Sequence, residues 1–114
     1  MQLEINTKNE VFKLWGGFLD KLVDITLVVL STHEVDAETV RNLETVVGAI
    51  DKTYSLLSKN YKKAKNFIFY ESQYVVVHEI YKILERYDVK DNEKLGVLLS
   101  QLRIYTKHRK RLES

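Results

Sequence analysis

The residues between 40 and 61 leave little choice of secondary structure. Apolar side chains recur there in alternating steps of three and four residues, at Val40, Leu43, Val47, Ile50, Tyr54, Leu57 and Tyr61. This spacing aligns them along one side of an α-helix, as in the seam of a coiled coil. None of the 114 residues is a proline, so no residue type in the chain forbids long helices. The sequence therefore predicts an all-α protein.

Three further segments show helical periodicity, which gives four predicted helices over residues 7–31, 36–60, 66–87 and 91–110. We place the second break in the polar stretch 58–66, because a single helix over residues 37–87 would be about 75 Å long, too long for a domain of this size to cover. Four amphipathic helices with short connections favour an up-down-up-down four-helix bundle. The length fits a single domain over residues 1–114.

Residues at the predicted helix ends have side chains suited to capping. Thr7 and Glu10 have the spacing of a capping box at the start of helix 1. Asp36 and Asp91 are the predicted N-caps of helices 2 and 4. Gly48, beside the seam of helix 2, predicts a close approach of two helices.

Helices 1 and 3 each carry two adjacent apolar stripes. This is more apolar surface than a four-helix bundle normally hides, so the sequence predicts a partner, most simply a second copy. We therefore predict a homo-oligomer, a dimer formed through helices 1 and 3.

Charged side chains are segregated along the chain. Residues 1–51 hold four Lys or Arg and nine Asp or Glu, a net charge of −5, whereas residues 52–114 hold fourteen and seven, a net charge of +7. In an up-down-up-down bundle, the turn after helix 2 and the end of helix 4 lie at the same end. The basic residues there, together with one tyrosine, form what we call the basic pole: Lys59, Tyr61, Lys62, Lys63, Lys65, Arg103, Lys107, Arg109, Lys110 and Arg111.

Basic residues interleaved with an aromatic ring are typical of proteins that bind a phosphate backbone, because lysines release counterions and aromatic rings stack on bases. The sequence therefore predicts a non-enzymatic protein whose basic pole binds nucleic acid or an acidic protein surface. Two alternatives stay open. The clusters also fit solvated helix ends, where cations favour the helix dipole. The apolar faces of helices 1 and 3 also fit an adaptor or inhibitor that binds another protein.

Residues that could carry chemistry are few. The chain has no cysteine, which excludes disulfides, thiolate zinc sites and cysteine nucleophiles. His33, His78 and His108 lack the carboxylate spacing of known metal motifs, so we predict no metal site and no cofactor. The N-terminal residues lack the basic and apolar regions of a signal peptide, and the longest near-apolar run, 22–30, is about half of a membrane span. We expect a cytoplasmic protein that does not contact a membrane.

One short segment, residues 103–108, carries a catalytic spacing. Arg103 and His108 are separated by four residues. This spacing resembles the Arg-x4-His pattern of the HEPN superfamily of ribonucleases, which are small helical bundles that act as dimers. Ile104 follows the arginine, where that family usually has a polar residue. The resemblance implies a third alternative, in which His108 moves a proton from a ribose 2′-hydroxyl and Arg103 steadies the phosphate.

Overall fold

A computed structural model of the protein describes residues 2–63 and 67–113, with side chains described for residues 10–63 and 67–104. The described residues form four α-helices: α1 (Gln2–Thr32), α2 (Ala37–Tyr61), α3 (Phe67–Glu85) and α4 (Asn92–Glu113), with a short 3-10 helix (Val89–Asp91) before the last. The described part of the chain contains no strand, so the predicted all-α class with four helices is confirmed. The second break also lies inside the predicted stretch 58–66.

The start of α1 differs from the prediction. The helix begins at Gln2, five residues before the predicted start, so Thr7 lies within it and the predicted capping box is wrong. Neither glycine nor proline occurs among residues 2–6, which include good helix formers, so no residue there ends the helix. At the other end of the chain, α4 runs three residues past the predicted position 110.

The predicted cap of α2 is confirmed, and the structure shows a further cap at the 3-10 helix before α4. Asp36 has an extended backbone, and its carboxylate accepts a hydrogen bond of 2.8 Å from the Thr39 amide. Asp88 is the N-cap of the 3-10 helix, and its carboxylate accepts from the Lys90 amide at 3.1 Å. Asp91, which directly precedes α4, accepts a hydrogen bond from the Asp88 amide and completes a capping box.

Aromatic contacts define the directions of the first three helices. Phe12 lies 5.8 Å from Tyr61 and Trp15 lies 6.1 Å from Tyr54, between ring centroids, so α1 and α2 are antiparallel. Tyr54 also lies against Phe67, the first residue of α3, and Asp51 against Tyr74, so the chain reverses again between α2 and α3. Both α1 and α3 pack against α2 and α4, which places α1 and α3 at diagonally opposite corners.

The core includes four residues of the predicted seam of α2, Leu43, Val47, Ile50 and Leu57. In α3 and α4, buried residues recur in the same three-and-four spacing and form the seams of those helices: Phe67, Tyr70, Val77, Leu84, Leu95, Leu98 and Leu102. The centre also holds a polar contact between diagonal helices, in which the buried Trp15 Nε1 donates to Oε1 of the buried Gln73 over 2.6 Å. At Gly48, an added Cβ would meet no atom within 4 Å, so the predicted close approach is wrong. Half-exposed positions beside a seam tolerate glycine without such an approach.

The described helices are amphipathic or too polar for a bilayer. None of them has a segment that is both long enough and apolar enough to cross a membrane. The longest, α1, is about 46 Å at 1.5 Å per residue. It therefore runs almost the full 49 Å length of the molecule.

Candidate functional site

Three lysines of the predicted basic pole lie together at the end of α2. Lys59 is in the last turn, and Lys62 and Lys63 follow the helix directly. All three are exposed, and none forms an ion pair with a carboxylate of the described residues. The negative end of the helix dipole favours cations at this position. The α2 half of the pole is therefore a compact group of three positive charges facing solvent.

Tyr61 lies among these lysines but has a second role. Its ring is half-buried and packs at 5.8 Å against Phe12 of α1. Only part of the ring is left for stacking on a base, which weakens the aromatic contribution that the sequence predicted for it. Lys65 lies outside the described residues.

The α4 half of the pole is described only at its first member. Arg103 is exposed, next to Ile104, which is 64% exposed. The backbone continues as helix to Glu113. The side chains of its other members lie outside the described residues: Lys107, Arg109, Lys110 and Arg111. The side chain of His108, from the predicted Arg-x4-His pair, lies outside them too. The structure thus groups Lys59, Tyr61, Lys62 and Lys63, and their meeting with the α4 residues stays a prediction.

A second polar group, which the sequence analysis missed, joins α2 to α3 near the middle of the bundle. Oδ1 of Asp51 accepts a hydrogen bond of 2.8 Å from the Tyr74 hydroxyl and lies 2.7 Å from Nε2 of His78. His78 and Asp51 are 34% and 44% exposed at their side chains, so solvent reaches both. We refer to Asp51, Tyr74 and His78 as the Asp-Tyr-His group.

Aromatic rings surround this group. The rings of Tyr54 and Tyr74 stack in parallel with centroids 3.9 Å apart, and His78 meets the edge of Tyr74 at 4.7 Å. Burial, followed by the hydrogen bond to Asp51, raises the pKa of Tyr74 to about 12. Burial also raises the pKa values of Tyr54 and Tyr81. The phenols are therefore neutral donors at physiological pH.

The chemistry available to this group is limited. A carboxylate that fixes a histidine orients it as a general base, but catalysis also needs a nucleophile or substrate group within reach. Tyr74 occupies the same carboxylate oxygen and is held neutral, which makes it a poor nucleophile. Among the described residues, no three His, Asp or Glu side chains lie close enough to hold a metal ion. The group is best described as a polar clamp between α2 and α3.

Residue counting outward from the break between α2 and α3 could have found this clamp. Asp51 lies ten residues before Tyr61, and Tyr74 and His78 lie seven and eleven residues after Phe67. In an antiparallel pair these positions face each other at the same height. Asp51 and His78 also sit next to the seam residues Ile50 and Val77, at the edge of the helix interface.

The opposite end of the molecule from Lys59, Lys62 and Lys63 is acidic. We call it the acidic end, and its members lie at the α1–α2 turn and around the start of α4: Glu34, Asp36, Glu38, Asp88, Asp91 and Glu93. A shallow cavity of about 590 Å³ lies between the α1–α2 turn and the end of α3, and residues lining it include His33, Asp36 and Arg86. Arg86, Lys90 and Lys94 lie among these carboxylates, which outnumber them, so this end carries a modest excess of negative charge.

Comparisons with known proteins add no assignment. The chain matches no protein family model, no curated protein and no solved structure. Function is therefore inferred from the exposed charges, the contacts and the apolar surfaces of the molecule.

Proposed function

We propose that this protein binds nucleic acid through its basic pole. The observation that carries the proposal is the group of Lys59, Lys62 and Lys63, which are exposed, adjacent and free of ion pairs with the described carboxylates. A polyanion displaces bound counterions from such a group and gains free energy from their release. Internal carboxylates would otherwise compete with phosphates for the lysines.

The proposal includes an up-down-up-down order for all four helices. Two antiparallel reversals are set by contacts between α1, α2 and α3, and the short 86–91 connection favours a third. In that order the C-terminal half of α4 ends beside Lys62 and Lys63. Arg103 and the basic residues after it then enlarge the pole to nine positive charges: Lys59, Lys62, Lys63, Lys65, Arg103, Lys107, Arg109, Lys110 and Arg111.

Nucleic acid is favoured over an acidic protein surface by the density of the charges. Consecutive phosphates present regularly spaced negative charges at short intervals, which several flexible lysines can contact at once. Lys62 and Lys63 are neighbours in sequence, and Lys59 lies one helical turn before Lys63. A cytoplasmic location, predicted from the sequence, would give this surface access to RNA.

The first test is a fluorescence anisotropy titration against labelled single-stranded RNA, single-stranded DNA and duplex DNA at two salt concentrations, with polyglutamate as the acidic-protein probe. If about five phosphates are contacted, log K should fall by roughly 3.5 to 4.5 per tenfold increase in salt. The nucleic acids should bind and polyglutamate should bind far more weakly. No binding at low salt would refute the proposal, and equal binding of polyglutamate would favour an acidic protein partner.

Exposed apolar side chains support a second candidate, a protein adaptor. Leu14 and Val28 on α1 are 49% and 53% exposed, and Ile68 and Val75 on α3 are 64% and 57% exposed. These surfaces also support the predicted homodimer. Because α1 and α3 occupy opposite corners, one interface with a second copy uses one of the two faces. A monomeric protein that does not bind nucleic acid would favour the adaptor.

The ribonuclease alternative requires Arg103 and His108 to act on RNA. Its test is incubation with RNA under metal-free conditions. Cleavage that is lost in His108→Ala, with RNA binding retained, would support it. Stable RNA in the presence of bound protein would exclude it.

A further inference from the structure

The outward side of α1 carries a second seam that no described side chain of the molecule covers. Six residues recur there in steps of three, four, three, four and three, and each one is exposed: Leu14, Gly17, Lys21, Asp24, Val28 and Ser31. They occupy alternating a and d positions of a heptad pattern, the arrangement that packs one helix against another. The buried seam of the same helix, which includes Trp15, Leu19 and Leu22, faces the core. The α1 helix is thus built for packing on two opposite sides.

Gly17 gives this outer seam a gap. An added Cβ at Gly17 would meet no atom within 4 Å, so packing inside the molecule does not require a glycine there. A glycine inside a helix is nonetheless less favourable than alanine. Together with Leu14, Phe18 and Lys21 it lines a shallow groove of about 410 Å³. A side chain from outside the molecule can enter this groove at the missing Cβ.

From the seam's charges and gap, we infer that α1 packs against α1 of a second copy in antiparallel orientation, with Lys21 beside the second copy's Asp24. In antiparallel helix pairs, a positions face d positions, and this register meets that condition. Around the two-fold axis, Lys21 then meets Asp24 and Asp24 meets Lys21. One layer further out, Val28 of each copy lies over Gly17 of the other, where the missing Cβ leaves room.

Two other arrangements of the same face bring like charges together. A parallel pair in register places Lys21 against Lys21 and Asp24 against Asp24. An antiparallel pair centred on Gly17 places Lys13 opposite Lys21 and Glu10 opposite Asp24. Only the register centred between Lys21 and Asp24, among these three, pairs opposite charges and fills the gap at Gly17. The charges therefore favour this register over the other two.

The chemistry of the seam predicts a weak dimer. Leu14 and Val28 are the only large apolar residues among its six positions, with the half-buried Phe18 and Ile25 at its margin. Contact over residues 14–31 extends for about 27 Å along the helix, which corresponds to a small interface. This inference rests on the homodimer proposed above and is independent of nucleic-acid binding.

The test is a charge swap followed by sedimentation equilibrium, without nucleic acid, over a wide range of protein concentration. The wild-type mass should rise from 13.4 kDa toward twice that value. Lys21→Asp and Asp24→Lys should each raise the dimer dissociation constant at least about tenfold, because two like-charge pairs then face each other at the axis. The double variant Lys21→Asp/Asp24→Lys should restore the wild-type constant. Lys52→Asp on α2, an exposed lysine away from the seam, serves as the matched control and should leave it unchanged.

A second variant probes the gap. Gly17→Glu should weaken the dimer, because it fills the gap with a charged side chain opposite Val28 of the second copy. Circular dichroism should show equal or greater helix content, since glutamate is a better helix former than glycine. A wild-type protein that stays at 13.4 kDa at the highest concentration would overturn the inference. So would a dimer that survives both single swaps, or a double variant that stays monomeric. None of these results bears on the nucleic-acid titration, which measures the basic pole separately.

Discussion

The two ends of the bundle use their charged residues in different ways. At the acidic end, Asp36 accepts hydrogen bonds from the amide and the hydroxyl of Thr39, and Asp88 and Asp91 form a reciprocal capping box. At the basic pole, the described lysines point into solvent and form no ion pair with described carboxylates. The acidic side chains hold turns in place, whereas the lysines hold no described part of the fold. Charge at the basic pole is thus free to serve binding.

Reversing charge at each end should give the largest contrast. Lys62→Glu/Lys63→Glu should lower RNA affinity at low salt at least about tenfold and flatten the salt dependence by roughly 1.4 in log–log slope, because two phosphate contacts are lost. Lys90→Glu/Lys94→Glu, a matched pair of exposed lysines near the acidic end, should change affinity little. Anisotropy titrations of the folded variants measure both. Equal losses of RNA affinity in the two double variants would mean that binding depends on the net charge of the protein and not on the position of the basic pole.

For the free energy of unfolding, we expect the acidic end to matter more than the basic pole. Asp88→Ala should lower the free energy of unfolding by about 1 kcal/mol, because it removes the acceptor of the Lys90 amide and disrupts the capping box. Lys62→Ala should stay within about 0.5 kcal/mol of the wild type, as exposed substitutions away from specific contacts do. Urea unfolding can be followed by the fluorescence of Trp15, the single tryptophan, which is fully buried. A comparable loss in Lys62→Ala would show that the basic pole also supports the fold.

Local patterns explain most of what the sequence predicted correctly. The 3-4 spacing placed Leu43, Ile50 and Leu57 in the core because a helix turns every 3.6 residues whatever its surroundings. Asp36 was predictable because capping involves only residues within one turn. The capping box of Asp88 and Asp91 was not predicted, because it belongs to a 3-10 helix of three residues, which is too short to show a periodic pattern in the sequence.

Features that depend on tertiary contacts were predicted less well. The clamp of Asp51, Tyr74 and His78 joins residues 23 and 27 positions apart, so it appears only once α2 and α3 are aligned. The sequence predicts a second apolar stripe on α1, which includes Val11, Leu14 and Val28. These residues differ in burial: Val11 is buried, whereas Leu14 and Val28 are exposed. Which side of a two-sided helix meets the core depends on its neighbours, and periodicity alone does not decide it.

A smaller effect is expected from the strained residue at the acidic end. His33 follows α1 with a φ of 59°, and its amide donates to the Val29 carbonyl at 2.8 Å. Glycine adopts this left-handed conformation without the steric cost that a Cβ brings. His33→Gly should therefore stabilise the protein by roughly 0.5 to 1 kcal/mol, measured by urea unfolding. His33→Ala retains the Cβ and should show no such gain, and a gain in both would point to the imidazole and not to backbone strain.

The smallest expected effect is the loss of the stability contributed by the Asp36 cap at acid pH. The hydrogen bond from the Thr39 amide, and then that from the Thr39 hydroxyl, lower the pKa of Asp36 below its ordinary value of 3.8. A lowered folded pKa means that the cap contributes stability above the unfolded pKa and that this contribution is lost as pH falls through the folded value. The wild type should therefore exceed Asp36→Ala in urea midpoint at neutral pH, and the difference should shrink below pH 3.8. Asp36→Asn keeps a capping oxygen that does not titrate, so its difference from Asp36→Ala should persist in acid. A wild-type advantage that survives full protonation would show that the cap acts without its charge.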